Sequence, residues 1–302
     1  MKHLLGISDL SKQDIESILA LTDRYARALA KGAWDRERLK DRIVLNLFFE
    51  DSTRTLTSFE IAAKRLGAHV VNWNPHTSSL SKGESFIDTV DTLNAMGADA
   101  FVIRHSEYGA PITVAQRAQC AVINGGDSWR EHPTQALLDA YTMIQAKGGL
   151  DGLTVTIVGD IAHSRVAGSN ILLLTKMGAK VRVIAPQILM PQKLPAPGVE
   201  KFHSLADGLP GSDIVMTLRL QKERMDTALI SSDAAYFNEF GLTRDVLDRY
   251  APKALVMDPG PLVRGVQIAD DIAEDPERSL ILKQVANGIP TRMAVLDMLV
   301  GK

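Results

Sequence analysis

An α/β fold in two parts, each a parallel sheet flanked by helices, is what the sequence predicts, and three observations carry that prediction. Short apolar runs bounded by turn residues alternate with stretches whose apolar positions repeat at helical spacing, the pattern of parallel strands joined by crossover helices. A second series of such runs begins at Leu153-Thr154-Val155-Thr156-Ile157-Val158-Gly159-Asp160, after the glycine pair Gly148-Gly149. The 302 residues are 45% apolar and 23% charged, enough for two domains with a core each.

Each element has its own signal. Residues 9–30 read as a helix, with Asp9 or Ser11 near its start and Ile15, Ile18, Leu19, Leu21 and Tyr25 on its apolar face. Leu45 to Phe49 is a buried strand. From Thr55 the period changes, and Leu56, Phe59, Ala63 and Leu66 share a helical face that Lys64, Arg65 and Gly67 close. His69 to Trp73 is a second strand, Asn74 to Glu84 a loop, and Ser85 to Met96 a helix with Phe86, Val90 and Leu93 inward. Ala100 to Ile103 and Ala121 to Gly126 are the third and fourth strands. Pro133, tolerated at a first helical position, opens a helix that runs to about Lys147. In the second series Val181–Ala185, Asp213–Leu218 and Ala254–Met257 follow as strands. Pro186, Pro191, Pro195 and Pro197 make the stretch after the first of these irregular. A last helix over 288–300 carries Met293, Val295, Leu296 and Leu299, and as the final element it is placed to return to the first part.

Composition removes several classes of function. A formal net charge of −2 gives no general affinity for nucleic acid or an anionic membrane, so any bound anion must be held by a local cluster of positive residues. No window approaches the length of a membrane span and Met1 to Gly6 lacks a sustained apolar run; a cytoplasmic protein is expected. The single cysteine, Cys120, excludes an internal disulfide and reads as core. The seven histidines show no metal-ligand spacing, so no metal is expected.

The chemistry gathers where strands end. Ser52-Thr53-Arg54-Thr55 sits at a strand-to-helix turn, where unpaired N–H groups, three hydroxyls and a guanidinium make an anion receptor suited to phosphate. Lys82 is a mobile point charge in the loop Ser79-Leu80-Ser81-Lys82-Gly83-Glu84. Arg104 ends a strand. His132 precedes Pro133, which keeps it extended at the start of the helix that carries Thr134 and Gln135. Gly159 to Arg165 has one glycine where a dinucleotide fingerprint needs three, which argues against a nicotinamide cofactor. Arg219 and Gln221 end another strand with a guanidinium and an amide, a pair suited to carboxylates. Pro259-Gly260-Pro261 is a rigid turn with carbonyls left to accept. Two anionic substrates are implied, one for each half.

These stretches, in this order and spacing and over nearly the whole chain, resemble the catalytic chain of the aspartate carbamoyltransferase family. The resemblance implies two domains, 1–132 plus 286–302 for carbamoyl phosphate and 133–285 for aspartate, joined by two interdomain helices. It implies a reaction of carbamoyl phosphate with L-aspartate to give N-carbamoyl-L-aspartate and phosphate, the committed step of pyrimidine synthesis, without a cofactor. Position by position, it implies that Ser52, Thr53, Arg54, Thr55 and Arg104 grip the phosphate and that His132 and Thr55 donate to the carbamoyl oxygen. Gln135 and the carbonyls around Pro259 and Gly260 would orient the carbamoyl amide, and Arg165, Arg219 and Gln221 would hold the aspartate carboxylates. Lys82 would enter the active site of a neighbouring subunit in a homotrimer, and regulatory chains or a dihydroorotase are the family's candidate partners. Three departures stand out, one being that the loop before Lys82 aligns with the family's through either of two serines, Ser79 or Ser81. Where the family has His-Pro-x-Pro, the chain has Asp258-Pro259-Gly260-Pro261, which sets an anion beside a site for anions; the family's asparagine two residues on is Val263. Ornithine carbamoyltransferase is the nearest alternative, but Thr134 and Gly260 stand where that enzyme has cysteines, and Arg219 would repel a cationic substrate. A catalytically silent relative is the other reading, prompted by Asp258.

Overall fold

The computed structural model describes residues 1–222, 230 and 232–301, and its contacts divide the chain into two units: residues 1–141 with 286–302, and residues 142–285. Unit 1 holds a four-stranded sheet of β1 (Ile43–Phe48), β2 (His69–Trp73), β3 (Ala100–His105) and β4 (Ala121–Asp127) in the order β2-β1-β3-β4, every pair parallel. Its helices are α1 (Lys12–Ala30), α2 (Thr53–Arg65), α3 (Phe86–Ala95), α4 (Ala110–Arg117) and the first part of α5 (Pro133–Lys147). Leu45, Leu47, Phe101, Ile103 and Val122 of the strands pack with Val90, Leu93 and Val114 of α3 and α4 into one buried cluster. Cys120 lies in that cluster, where burial pushes its thiol up to about 11; an inert core residue is the result.

Unit 2 holds a five-stranded sheet of β5 (Thr154–Val158), β6 (Lys180–Ile184), β7 (Glu200–Phe202), β8 (Ile214–Thr217) and β9 (Leu255–Met257) in the order β7-β6-β5-β8-β9, again all parallel. Around it are α6 (Arg165–Lys176), α7 (Leu205–Gly208), α8 (Asp233–Phe240), α9 (Arg244–Tyr250) and α10 (Asp270–Ala273). The last helix, α11 (Ile281–Val300), begins in unit 2 and ends in unit 1, as α5 begins in unit 1 and ends in unit 2. Among the described residues no helix is long and apolar enough to cross a membrane.

Local chemistry explains the boundaries. Ser11 caps α1 in a reciprocal capping box with Asp14, whose carboxyl is held below its ordinary value chiefly by the Ser11 hydroxyl. Two expectations are corrected. The last helix was expected over 288–300, yet it starts at Ile281 and runs through Gly288 and Pro290. The expected loop 74–84 contains two short 3₁₀ turns, Pro75–Thr77 and Ser79–Lys82.

Candidate active site

In a parallel sheet the ligand crevice lies beyond the carboxyl ends of the strands, where the strand order reverses. In unit 1 the chain leaves β1 toward β2 on one side and reaches β3 on the other, so the reversal falls between β1 and β3. Phe48 pairs with Arg104, and Phe49 N donates to Arg104 O at 2.8 Å, which lays the exit of β1 beside the end of β3. The exit of β1 is the segment leading into Ser52, Thr53, Arg54 and Thr55.

Ser52 occupies the N-cap of α2 with an extended backbone, but its hydroxyl makes no capping hydrogen bond. The serines or threonines that cap α1, α3, α6, α7, α8 and α9 all accept from a backbone N–H of the first turn. The start of α2 therefore keeps its N–H groups, its partial positive charge and its hydroxyl for another acceptor. Thr53 and Arg54 are exposed at this end, whereas Thr55 is buried and its Oγ1 lies 3.3 Å from His132 Nε2. Thr55 and His132 thus stand together at the α2 start.

His132 is held by the turn before it. Asp127, fully buried, accepts from Asn124 Nδ2 at 2.8 Å and from Gly109 N at 3.0 Å, and the bridge between Asp127 and Glu131 tightens the turn that delivers His132 to α5. Gln135, one turn along, is buried, with Nε2 donating to Asp139 Oδ1 at 2.9 Å. Arg104 is mostly buried, its Nε 3.3 Å from Glu50 Oε2. Beside it His105 packs, tilted by 53° and 48°, against Phe49 and Phe86 at 4.7 and 4.8 Å, and burial holds its ring below the ordinary imidazole value. Lys82 is exposed at the end of its 3₁₀ turn.

In unit 2 the reversal falls between β5 and β8, and the expected aspartate-side residues flank it. Asp160, fully buried just after β5, accepts from His163 N and Nδ1 at 3.1 and 2.8 Å and from Gln221 N at 3.1 Å, so one carboxylate ties the two strand exits together. Gly159 makes this approach possible. Its φ is +136° and a Cβ there would stand 2.5 Å from Leu218 O, a conformation and a distance only glycine tolerates. Arg165 is buried in the first turn of α6, behind the Ser164 cap. Arg219 Nη2 donates to Gln221 Oε1 at 3.1 Å, which aligns the guanidinium and the amide in one row.

Of the two readings open for Asp258, turned away from the site or weakening it, the structure shows the first. Asp258 is 2% exposed, and its carboxylate accepts from Thr217 Oγ1 at 2.7 Å, Gln267 Nε2 at 3.1 Å and Gly260 N at 2.7 Å. Its charge is turned inward and secures the Pro259–Gly260 turn, rather than facing an anion. Val263 is exposed. Sequence reasoning missed Glu50 and Asp139. For Glu50 a signal existed, an acidic pair immediately before an anion receptor; for Asp139 it was the spacing of four from Gln135 on a helix. Among the described residues no three of His, Cys, Asp and Glu group as metal ligands.

Comparison with known proteins gives the same pattern a context. The model of the aspartate/ornithine carbamoyltransferase carbamoyl-P binding domain matches residues 2–145, and that of the Asp/Orn binding domain matches residues 151–299. Aspartate carbamoyltransferase catalytic subunits of Granulibacter bethesdensis and Acidiphilium cryptum are 52% and 53% identical, over 98% and 99% of this chain and 94% and 96% of their own lengths. The crystal structure of aspartate transcarbamoylase from Trypanosoma cruzi in complex with N-(phosphonacetyl)-L-aspartic acid matches with a TM-score of 0.90 at 33% identity, covering 99% of this chain and 96% of that one. With fold, motif order and full-length similarity in agreement, the chain belongs to the aspartate/ornithine carbamoyltransferase family.

Proposed function

We propose that the chain transfers the carbamoyl group of carbamoyl phosphate to the amino group of L-aspartate, giving N-carbamoyl-L-aspartate and phosphate, the committed step of pyrimidine synthesis. The observation that carries this reading is the start of α2, where an unused Ser52 hydroxyl, exposed Thr53 and Arg54, and the Thr55–His132 pair converge beside Arg104 at the strand reversal. In this reading unit 1 is the carbamoyl-phosphate-binding half and unit 2 the aspartate-binding half.

Each group has a chemical task. Ser52, Thr53, Arg54, Thr55 and Arg104 hold the phosphate. His132 and Thr55 donate to the carbamoyl oxygen, which gains negative charge as the amine attacks; a fixed donor aimed at such an oxygen is typically worth ~10²–10³ in rate. Gln135, Pro259 and Gly260 orient the carbamoyl amide, and Arg165, Arg219 and Gln221 hold the aspartate carboxylates. The neutral amine nitrogen forms the new bond to the carbamoyl carbon, the bond from carbon to the phosphate oxygen breaks, and the departing phosphate takes the amine proton. Lys82 and its loop serve the neighbouring subunit of a homotrimer, in a cytoplasmic enzyme. Ordering two small substrates in this way accounts for up to ~7–11 kcal/mol of the barrier.

Two features favour aspartate as acceptor. Two guanidiniums, Arg165 and Arg219, stand at the unit 2 reversal, and Asp258, the residue that prompted the silent-relative reading, is buried within its own hydrogen bonds. The test is turnover of carbamoyl phosphate with aspartate and, separately, with ornithine. Aspartate alone should react, and Arg54→Ala should abolish the reaction. Turnover with ornithine only, or with neither, refutes the assignment.

A further inference from the structure

Gln135 has a neighbour that decides which way its amide faces. Its Nε2 lies 2.9 Å from Oδ1 of Asp139, four residues further along α5, and Asp139 is fully buried. An ionised carboxylate only accepts, so the amide must turn its nitrogen toward Asp139 and keep its carbonyl oxygen for something else.

A carboxylate with no exposure needs a compensating cation to stay ionised. Arg292 of α11 is 3% exposed, and Asp139 is the carboxylate whose charge acts on it. Burial holds its guanidinium down to about 10, which still leaves it cationic at neutral pH. The slot around it is specific. Its Nη1 donates to Gly288 O at 3.3 Å, a Cβ at position 288 would stand 2.6 Å from that same Nη1, and the guanidinium lies 5.1 Å from the centre of the Phe59 ring. Phe59 belongs to α2, the helix that starts with Ser52–Thr55. One buried cation thus touches the phosphate-side helix and balances the carboxylate that orients Gln135.

We propose that Asp139 and Arg292 are positioning residues for carbamoyl transfer: together they lock the Gln135 amide with its nitrogen inward and its carbonyl oxygen outward, as acceptor for an N–H of the carbamoyl group. The inference rests on the assignment of Gln135 to that group. Without the Arg292 charge, the buried Asp139 carboxylate loses the cation that offsets its burial, and its grip on the Gln135 nitrogen weakens. The Gln135 amide is then free to turn over and present N–H to the N–H of the substrate, a repulsive pair that still leaves the phosphate grip intact.

This separation gives the test. The purified chain and its Asp139→Asn, Arg292→Met and Arg292→Lys variants are compared for kcat, for KM toward carbamoyl phosphate and aspartate, and for inhibition by inorganic phosphate. In Asp139→Asn and Arg292→Met the KM for carbamoyl phosphate should rise about tenfold while phosphate inhibition stays within about twofold, and Arg292→Lys should restore most of the loss. The isosteric Asp139→Asn carries the test by itself if Arg292→Met does not fold. Parallel loss of carbamoyl phosphate and phosphate affinity, or an unchanged KM in the folded variants, overturns the proposal. An unmodified chain without aspartate-dependent turnover overturns the functional reading itself, whereas an active one with indifferent variants overturns this inference alone.

Discussion

Replacing Asp258 by alanine removes the acceptor for three donors at once: Thr217 Oγ1, Gln267 Nε2 and Gly260 N. Thr217 and Gln267 have only distant fallbacks, Met257 O and Pro261 O, each at 3.4 Å. Hydrogen bonds to a charged group contribute roughly 1.5–3 kcal/mol each; Gly260 N is only part-buried and can turn to water, so the other two lost bonds come to roughly 3–6 kcal/mol. Asparagine should behave differently. Its oxygen can keep Gly260 N, its nitrogen can face Gln267, whose Oε1 is buried without a partner and can turn to accept, and the Thr217 hydroxyl can rotate; the loss should stay within about 1.5 kcal/mol. Urea unfolding reads the difference as a large midpoint shift for Asp258→Ala and a small one for Asp258→Asn at equal slope. Because Asp258 secures the Pro259–Gly260 turn, the KM for carbamoyl phosphate should rise in the same order. An alanine variant as stable as the parent with unchanged KM would refute the claim that this charge is structural.

Two further outcomes follow from particular contacts. Ser164→Ala should destabilise the chain by about 1 kcal/mol, because Ser164 Oγ accepts from Ala167 N, whereas Ser52→Ala should leave thermal stability within about 0.5 kcal/mol and instead raise the KM for carbamoyl phosphate. His105 titrates below the ordinary 6.5 because it is buried, so below that value the unfolded chain binds a proton before the folded one does; stability present above pH 6.5 is lost as pH falls through it. His105→Phe, placed between Phe49 and Phe86, should flatten that part of a stability curve measured by denaturant at several pH values.

What the residues announced in advance follows a physical division. Strands β1, β3, β4 and β5 were legible from short β-branched or apolar runs such as Phe101-Val102-Ile103 and Ala121-Val122-Ile123, and α1 and α3 because their apolar stripes keep helical spacing. Helix α4 was missed: Ile112, Thr113 and Val114 favour strand, and only Pro111 near the start marked a helix. The start of α11 was placed seven residues late, at Gly288 instead of Ile281; Gly288 lies inside the helix, where it admits the Arg292 guanidinium. At the site, the charged and hydroxyl residues at strand ends were legible one by one. Which ends adjoin depends on strand order, β1 beside β3 and β5 beside β8, and local sequence does not encode it. The same holds for Glu50 against Arg104 and for the inward turn of Asp258, both fixed by long-range packing.

If the bare start of α2 is the anion site proposed above, this helix is one whose first turn is finished from outside. An anion seated there would close the orphan N–H groups as the Ser and Thr hydroxyls do at the other helix starts, so occupancy and folding become a single equilibrium. At a hundredfold excess over its dissociation constant such a guest adds about 2.7 kcal/mol to the folded state. The melting temperature of the protein is then itself a gauge of how much phosphate-bearing substrate surrounds it.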